Sequence, residues 1–297
     1  RHGSQAMSSA GNEQMMVAAA WNGDLEALKQ WLHAGLSVNS EDDRGRTALI
    51  EAARTGFMEI VRFLAEDAKA NLDVKDKDGA TALAWAAYKS HLEITRYLIE
   101  KGADIEAAGN RGHTPLLEAV RGVRFYGKAV TRHFQVVRCL IEHNACVEAK
   151  TSSGATPLAI AADFGFFEMV QYLVEKAGAN TEAKSDRTGD TALIRAAKAT
   201  RPKVVRYLLE EAKANVAAHD FDGWTAYMWA KRRMRQAHFG SEEVVAHFTV
   251  VYVCVCPCGP MFLMCDACMH VCVCMFVCVR GDVRAFCVCV CVCERER

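Results

Sequence analysis

The sequence predicts an all-α solenoid, a stack of short helical repeats, because one phrase recurs along most of its 297 residues. Each copy has the form Gly-x-Thr and leads into a short run rich in alanine, such as Ala86-Ala87. The six threonines lie 33 to 35 residues apart, with one longer interval of 42 residues, at Thr47, Thr81, Thr114, Thr156, Thr191 and Thr225. Thirteen residues after four of these threonines, a second apolar run begins at Ile60, Ile94, Met169 and Val204. Repeats of this period indicate units that stack in one dimension.

Elementary conformational preferences give each repeat a turn and two helices. The glycine allows the positive φ of a tight turn, and the threonine can cap the helix that follows. Paired alanines let neighbouring helices approach closely, and a glycine such as Gly56 or Gly165 ends the first helix. The apolar spacing at Ile60, Val61 and Leu64 then predicts a second helix with one buried face. A single repeat cannot cover that face by itself, so the repeats must stack.

On these residues the chain resembles the ankyrin-repeat family. The Gly-x-Thr-Pro-Leu phrase at residues 112–116 and 154–158 matches the family pattern, as do the Gly-Ala-Asp/Asn segments at 102–104 and 178–180. The resemblance covers residues 12–248 and implies an ankyrin-like helical solenoid of about seven repeats.

The two outer repeats are atypical. The first lacks the Gly-x-Thr turn, and the last carries Lys231-Arg232-Arg233 where the others have apolar or small residues. A polar outer face is what a terminal repeat needs, because no further repeat covers it. Before the first repeat, residues 1–11 are expected to form a disordered leader.

The resemblance also implies that the chain works as a binding surface, which meets its partner through the turn tips and the inner face of the first helices. Mixed charge with aromatic residues suits a protein partner, because aromatic and arginine side chains dominate interface energetics. The candidate partner-binding residues are Arg44, Arg46, Arg54, Lys77, Tyr88, Lys89, Arg111, His113, Arg124, Phe125, Tyr126, Phe164, Arg187, Phe221 and Trp224. The competing interpretation is a solvated face, and we expect about a quarter of these residues to contribute to binding energy.

The fourth repeat contains an insertion at residues 122–132, which accounts for the interval of 42 residues. The insertion is basic and aromatic and contains no acidic residue. Two interpretations stay open: an extended helix hairpin that contacts an acidic partner, and a solvated surface loop. The segment also matches Gly-x-x-x-x-Gly-Lys, but Ala129 replaces the Ser or Thr that would ligate Mg²⁺ and no apolar strand precedes it. We therefore expect no nucleotide site.

Charge and motif content exclude several classes of function. The 36 Lys and Arg residues balance 36 Asp and Glu residues, so the basic excess typical of nucleic-acid binding is missing. No Ser/His/Asp trio or paired carboxylate site stands out, and we expect a non-catalytic protein without a metal, a cofactor or a small-molecule substrate. Cys139, His143 and Cys146 could be drawn as metal ligands, but Cys139 falls within an apolar second-helix run and is predicted to be a buried structural cysteine.

Residues 249–297 form a low-complexity Val/Cys tail that holds twelve of the fourteen cysteines. A translated GTGTGT repeat encodes such Val-Cys alternation, so we expect a disordered segment or a product of translated repeat DNA. A metal site around Cys265 and Cys268 is disfavoured, because valine alternation favours strands over ligand turns. A membrane span at residues 248–264 is disfavoured, because Pro257 and Pro260 interrupt a run that is short for a bilayer. A disulfide scaffold needs an oxidising compartment, which the sequence does not indicate.

We therefore expect a non-catalytic protein–protein interaction module, a scaffold or adaptor that binds a protein partner as a monomer in the cytosol or the nucleus. No nucleic-acid partner and no membrane span are expected. The alternative is the recognition domain of a larger enzyme or channel subunit, whose remaining domain is lost at the C-terminal end.

Overall fold

The computed structural model of the chain describes residues 9–126, 130–235, 244–246, 272–274 and 289–291. The chain divides into two compact units, Arg1–Val245 and Ala246–Arg297. The first unit holds the helical repeats, and the described part of the second holds two short strands.

The first unit is an ordered series of short helices. They are α1 Ser9–Asn22, α2 Leu25–His33, α3 Ala48–Thr55, α4 Met58–Glu66, α5 Ala82–Tyr88, α6 Leu92–Glu100, α7 Pro115–Tyr126, α8 Val130–Glu142, α9 Pro157–Phe164, α10 Phe167–Glu175, α11 Ala192–Lys198, α12 Pro202–Glu210 and α13 Ala226–Arg235. Odd-numbered helices are the first helices of their repeats, and even-numbered helices are the second helices. Helix α1 begins at Ser9, inside the expected leader. The helix is anchored by the buried Met16 and Val17, and its first turn extends upstream of the predicted boundary at residue 12. Residues 1–8 of that leader lie outside the described residues.

The turn and cap chemistry predicted from the Gly-x-Thr phrase is confirmed. The six glycines of the phrase have φ between 70° and 78°. At Thr47, Thr81 and Thr156, the hydroxyl oxygen accepts a hydrogen bond of 3.3 Å from the amide three residues on. Gly56 and Gly165 end α3 and α9 with φ of 96° and 82°, as expected for a left-handed C-cap.

Neighbouring first helices pack directly against one another along the whole unit, in the order α1, α3, α5, α7, α9, α11 and α13. The alanine pairs predicted to allow this approach, such as Ala52-Ala53 and Ala86-Ala87, are fully buried. The second helices cover the other side with buried residues such as Ile60 and Leu98. The core is therefore a continuous layer between the two rows of helices.

A second device couples the repeats: a side chain reaches back to the end of the preceding first helix. His91 Nε2 donates to the carbonyl of Arg54 at 3.2 Å, and His133 Nε2 donates to the carbonyl of Tyr88 at 3.1 Å. Arg201 Nε donates in the same way to the carbonyl of Asp163 at 2.9 Å. We call these three hydrogen bonds the back-bonds; each satisfies a carbonyl that the end of a helix leaves without an intrahelical partner.

The insertion of the fourth repeat lengthens both of its helices, so the helix-hairpin interpretation agrees with the structure better than the loop. Helix α7 continues to Tyr126 and α8 begins at Val130, with residues 127–129 outside the described part. Gly122 lies inside α7, where a Cβ atom would overlap the carbonyl oxygen of Tyr88 and lie 2.7 Å from His133 Nε2. Its role is close helix packing, and it belongs to no phosphate-binding loop.

The described part of the second unit contains two strands, β1 Cys272–Cys274 and β2 Cys289–Cys291. They pair antiparallel, with Val273 opposite Val290. These six residues are extended where disorder was expected, because β-branched valine favours strands. The rest of the predicted tail at residues 249–297 lies outside the described residues.

We expect Gly122→Ala to destabilise the first unit by about 1–3 kcal/mol, because the added methyl group overpacks the contact between α7 and α5. This range is the net change, after the gain of about 1 kcal/mol in helix propensity has offset part of the overpacking cost. Urea unfolding followed by far-UV circular dichroism measures the change. A variant more stable than the parent would contradict the close-packing role.

We expect the burial of His91 to make stability depend on pH. Burial lowers the pKa of His91 below its usual value of 6.5, more than the Arg54 carbonyl raises it, and the charges of Lys89 and Arg132 lower it further. Because the folded-state pKa is the lower one, this contribution is complete above the unfolded-state pKa and is lost as the pH falls from that value through the folded-state pKa. Thermal unfolding of the parent protein and of His91→Phe at pH 7.5 and pH 5 tests this. The substitution introduces phenylalanine, which the preceding repeat has at the equivalent position, Phe57. If lowering the pH from 7.5 to 5 reduces the melting temperature equally in both proteins, His91 is not the source of the pH dependence.

Candidate functional site

The turn tips form an exposed ladder along one edge of the repeats. The amide of Lys77 donates to the carbonyl of Arg44 at 3.0 Å, and the amide of Ser152 donates to the carbonyl of Arg111 at 2.8 Å. The amide of Arg187 continues the ladder by donating to the carbonyl of Ser153 at 3.2 Å. The ladder therefore holds the exposed tip residues in register: Arg44, Lys77 and Arg111 lie on successive tips, and Arg187 lies two repeats after Arg111.

Four of the six tips are held by a side chain that starts the turn. Asp76 Oδ1 accepts from the amides of Asp78 and Ala80 at 3.0 and 2.9 Å, and Asp220 Oδ1 accepts from those of Asp222 and Trp224 at 3.1 and 2.8 Å. Asp42 and Thr151 make the same pair of bonds in their own turns. Such side-chain turns fix the backbone locally, before any partner binds.

Three positions per repeat share one side of the first helices, and we call this set the first-helix face. They lie one residue before the cap threonine and four and seven residues after it, a spacing that puts side chains on one face of a helix. From the second repeat onward, the set is Arg46, Glu51 and Arg54; Ala80, Trp85 and Tyr88; His113, Glu118 and Arg121; Ala155, Ile160 and Asp163; Asp190, Arg195 and Lys198; Trp224, Trp229 and Arg232.

Arg46 and Arg54, predicted as partner-binding residues, are held by a buried carboxylate. Glu51 is 1% exposed and accepts from Arg46 Nη1 at 2.6 Å and from Arg54 Nε at 2.7 Å. The guanidinium of Arg54 also lies 4.7 Å from the ring centre of Trp21, and that of Arg46 lies 5.4 Å from the ring centre of Trp85. Both arginines are thus fixed by an ion pair and by a cation–π contact.

A cleft of about 270 Å³ opens between the next two repeats, and it brings together three predicted residues, Tyr88, Arg111 and His113. Its wall is the edge-to-face pair of Trp85 and Tyr88, whose ring centres are 5.8 Å apart. Opposite them, Glu118 Oε1 lies 2.8 Å from both His113 Nδ1 and Arg121 Nη1.

A second aromatic and basic cluster lies at the last repeat. Lys198 bridges Asp190 at 2.5 Å and Asp220 at 3.1 Å, and its ammonium nitrogen lies 4.3 Å from the ring centre of Trp229. Burial raises the pKa of Asp220, but hydrogen bonds from the Trp224 amide, the Trp229 indole and Lys198 outweigh it and hold this pKa below its usual value. The cluster is therefore a charged, fixed network.

The structure separates the remaining predicted residues. Lys89 borders the cleft, with its ammonium nitrogen 5.7 Å from the ring centre of Tyr88. Phe164 lies two repeats away, against Phe166. Phe221 is 66% exposed at the last tip, beside Trp224. The backbone of Arg124, Phe125 and Tyr126 lies in α7, but their side chains lie outside the described residues.

The sequence prediction missed the position four residues after the cap threonine, which supplies Glu51, Trp85, Glu118 and Trp229 to the first-helix face. The signal was available, because this position carries a charged or aromatic residue in five of the six copies. Among the buried residues, the predicted Cys139 is confirmed as a free cysteine at 3% exposure, and burial raises the pKa of its thiol.

Two further findings concern only the part of the chain that the structure describes. There, no cluster of three or more His, Cys, Asp or Glu side chains has the geometry to hold a metal ion. In the same residues, no helix combines the length and the apolar character needed to cross a membrane.

The repeats, the tip ladder and the first-helix face define the class of protein: the chain belongs to the ankyrin-repeat family. A sequence model of the family, described as ankyrin repeats in three copies, matches residues 15–109, 69–126, 106–185 and 177–246. These matches span most of the predicted repeat region and confirm the fold class. Proteins of this family are generally protein-interaction modules and are typically not catalytic.

A curated relative shares a shorter stretch. The chain is 38% identical over 60 residues to the liver isoform of mitochondrial glutaminase from Mus musculus. The match covers 20% of this chain and 10% of that protein, so the chain spans about a tenth of the length of the relative.

We expect Glu51→Gln to destabilise the first unit by about 3 kcal/mol, because two largely buried guanidinium groups lose their carboxylate partner. Urea unfolding followed by circular dichroism measures the loss. Glu26→Gln is the matched control: its ion pair with Lys29 is exposed, and such pairs contribute at most about 1 kcal/mol. Equal effects of the two substitutions would show that the buried cluster is not important for stability.

Proposed function

We propose that the chain is a non-catalytic scaffold or adaptor that binds a protein partner through its turn tips and its first-helix face. The observation that carries this proposal is the fixed row of aromatic and basic side chains on that face, combined with a family whose members are generally interaction modules. Aromatic and arginine side chains that are already ordered lose little entropy on binding, which favours affinity.

The proposal includes a monomer that works in the cytosol or the nucleus. Light scattering of the purified chain and fractionation of cells that express it test the two statements separately.

A second candidate function is the recognition domain of a larger enzyme or channel subunit. The observation that favours it is the 60-residue likeness to a glutaminase, which is itself an enzyme by name. Sequencing the transcript past codon 248 separates the candidates: an open frame into a further domain supports the second, and a stop codon there supports the first.

We expect a photo-crosslinking residue at Lys77 or Arg187 to capture a protein partner when the full chain is expressed in cells. Both positions are exposed tip residues. Lys203 and Arg206, exposed basic residues on the second helix α12, are matched controls for charge and accessibility. Mass spectrometry identifies the captured proteins.

A tip-specific partner should also be lost with Phe221→Ala, whose ring is mostly exposed and contributes little to the core. If this ring is an anchor, its truncation weakens binding by about 2 kcal/mol or more. If the partner crosslinks only to the two positions on α12, or equally to the two tip positions and the two α12 positions, it does not bind through the tips.

A further inference from the structure

The cleft between the third and fourth repeats has a volume of about 270 Å³, which is enough to admit a side chain of a partner. Ala80 and Ala84 line the cleft beside Trp85, and the rings of Trp85 and Tyr88 meet edge-to-face in its wall. Such a pair suits an added aromatic ring, which stacks offset or edge-to-face.

Two carboxylates around this cleft, Glu118 and Asp76, are already engaged. Glu118 is held by His113 and Arg121, and Asp76 accepts from the indole nitrogen of Trp85 at 2.7 Å. Asp78 is the carboxylate of the lining that forms no ion pair within the described residues.

The cations next to the cleft have fewer ion-pair partners than Glu118 has. Lys77 and Arg111 form no ion pair within the described residues, and both are exposed at the tips that border the cleft. Arg121 uses Nη1 for Glu118, and its side chain remains 33% exposed. In the described part of the chain, Lys77 and Arg111 therefore leave positive charge without an ion-pair partner at the border of the cleft.

The same sign of charge extends along the row of first helices, although the chain as a whole is neutral. From α3 to α13, including the residue that caps α5, the described basic residues are Arg54, Lys89, Arg121, Arg195, Lys198, Lys231, Arg232 and Arg233. The acidic residues of the same segments are Glu51, Glu118 and Asp163. A partner that lies along these helices meets a basic surface.

We propose that the partner presents an acidic segment with an aromatic side chain, which enters the cleft and packs against the pair of Trp85 and Tyr88 while flanking carboxylates pair with Arg111 and Arg121. This inference rests on the proposed function and specifies the chemistry of the partner. Arginine binds carboxylates in a bidentate geometry, and the aromatic insertion adds apolar burial to the ion pairs. The ion pairs orient the acidic segment and speed its association, and the cleft fixes the register in which the segment binds.

The experiment measures fluorescence polarisation of the full chain with a labelled peptide of alternating glutamate and glycine around one central tryptophan. Two matched peptides replace the tryptophan by alanine or every glutamate by lysine. We expect the acidic tryptophan peptide to bind at least about tenfold more tightly than either, a difference of about 1.4 kcal/mol. Raising NaCl from about 0.1 M to about 1 M should weaken it, because the Debye length falls from about 10 Å to about 3 Å.

Two variants separate charge from shape. Arg111→Glu should weaken the acidic tryptophan peptide at least about tenfold, whereas Arg206→Glu makes the same charge change on α12 and should leave it unchanged. Ala80→Phe fills the cleft without altering charge, and the equivalent position of the last repeat already holds Trp224. We expect Ala80→Phe to remove the advantage of tryptophan over alanine in the peptide. Circular dichroism confirms folding of each variant.

Equal binding of the three peptides, equal effects of Arg111→Glu and Arg206→Glu, or no effect of Ala80→Phe would overturn the inference. Displacement of the peptide by single-stranded oligouridine at equal concentration would also overturn it, in favour of a nucleic-acid ligand. If Lys77 and Arg187 still crosslink a protein while the peptides fail, the acidic-segment inference alone is wrong. If both experiments fail, the proposed function is wrong as well.

Discussion

Close approach of neighbouring first helices is the constraint on which the rest of the molecule depends. Buried alanines such as Ala86 and Ala87 bring the backbones together, and Gly122 allows α7 to touch the carbonyl of Tyr88. At this distance the His91 and His133 back-bonds can form. Stability in such a stack comes from each repeat and its contacts with the next, so these short-range interactions determine the whole.

The fixed spacing of the repeats orders the chemistry of the first-helix face. A charged repeat around Glu51 is followed by the aromatic pair of Trp85 and Tyr88 and then by the charged repeat around Glu118. Cations of one repeat lie against rings of a neighbouring repeat, as Lys198 does with Trp229. Because these side chains are positioned by contacts between repeats, the face is largely organised before a partner arrives, and ordering it costs little on binding.

Much of this fold follows from local sequence. The Gly-x-Thr phrase specifies the turn and the cap at positions such as Thr47 and Thr156, since both depend on the residues themselves. The engagement of Arg46 could not be predicted in this way, because it depends on Glu51 and on Trp85 of the following repeat. Its position in the repeat predicted Arg46 as a binding residue, and only the packed repeats show that its guanidinium group already forms an ion pair. The insertion was equally ambiguous, because its composition suits a helix and a loop alike.

The lengthened fourth repeat shows how such a stack tolerates growth. The contacts that set its distance from its neighbours involve Gly122 and His133, and the additional turns of α7 and α8 lie between these two residues along the chain. The hairpin can therefore change in length at its far end while the pitch of the stack stays the same. Natural variation, or a grafted epitope or reporter sequence, has an entry point there that leaves the other repeats in place.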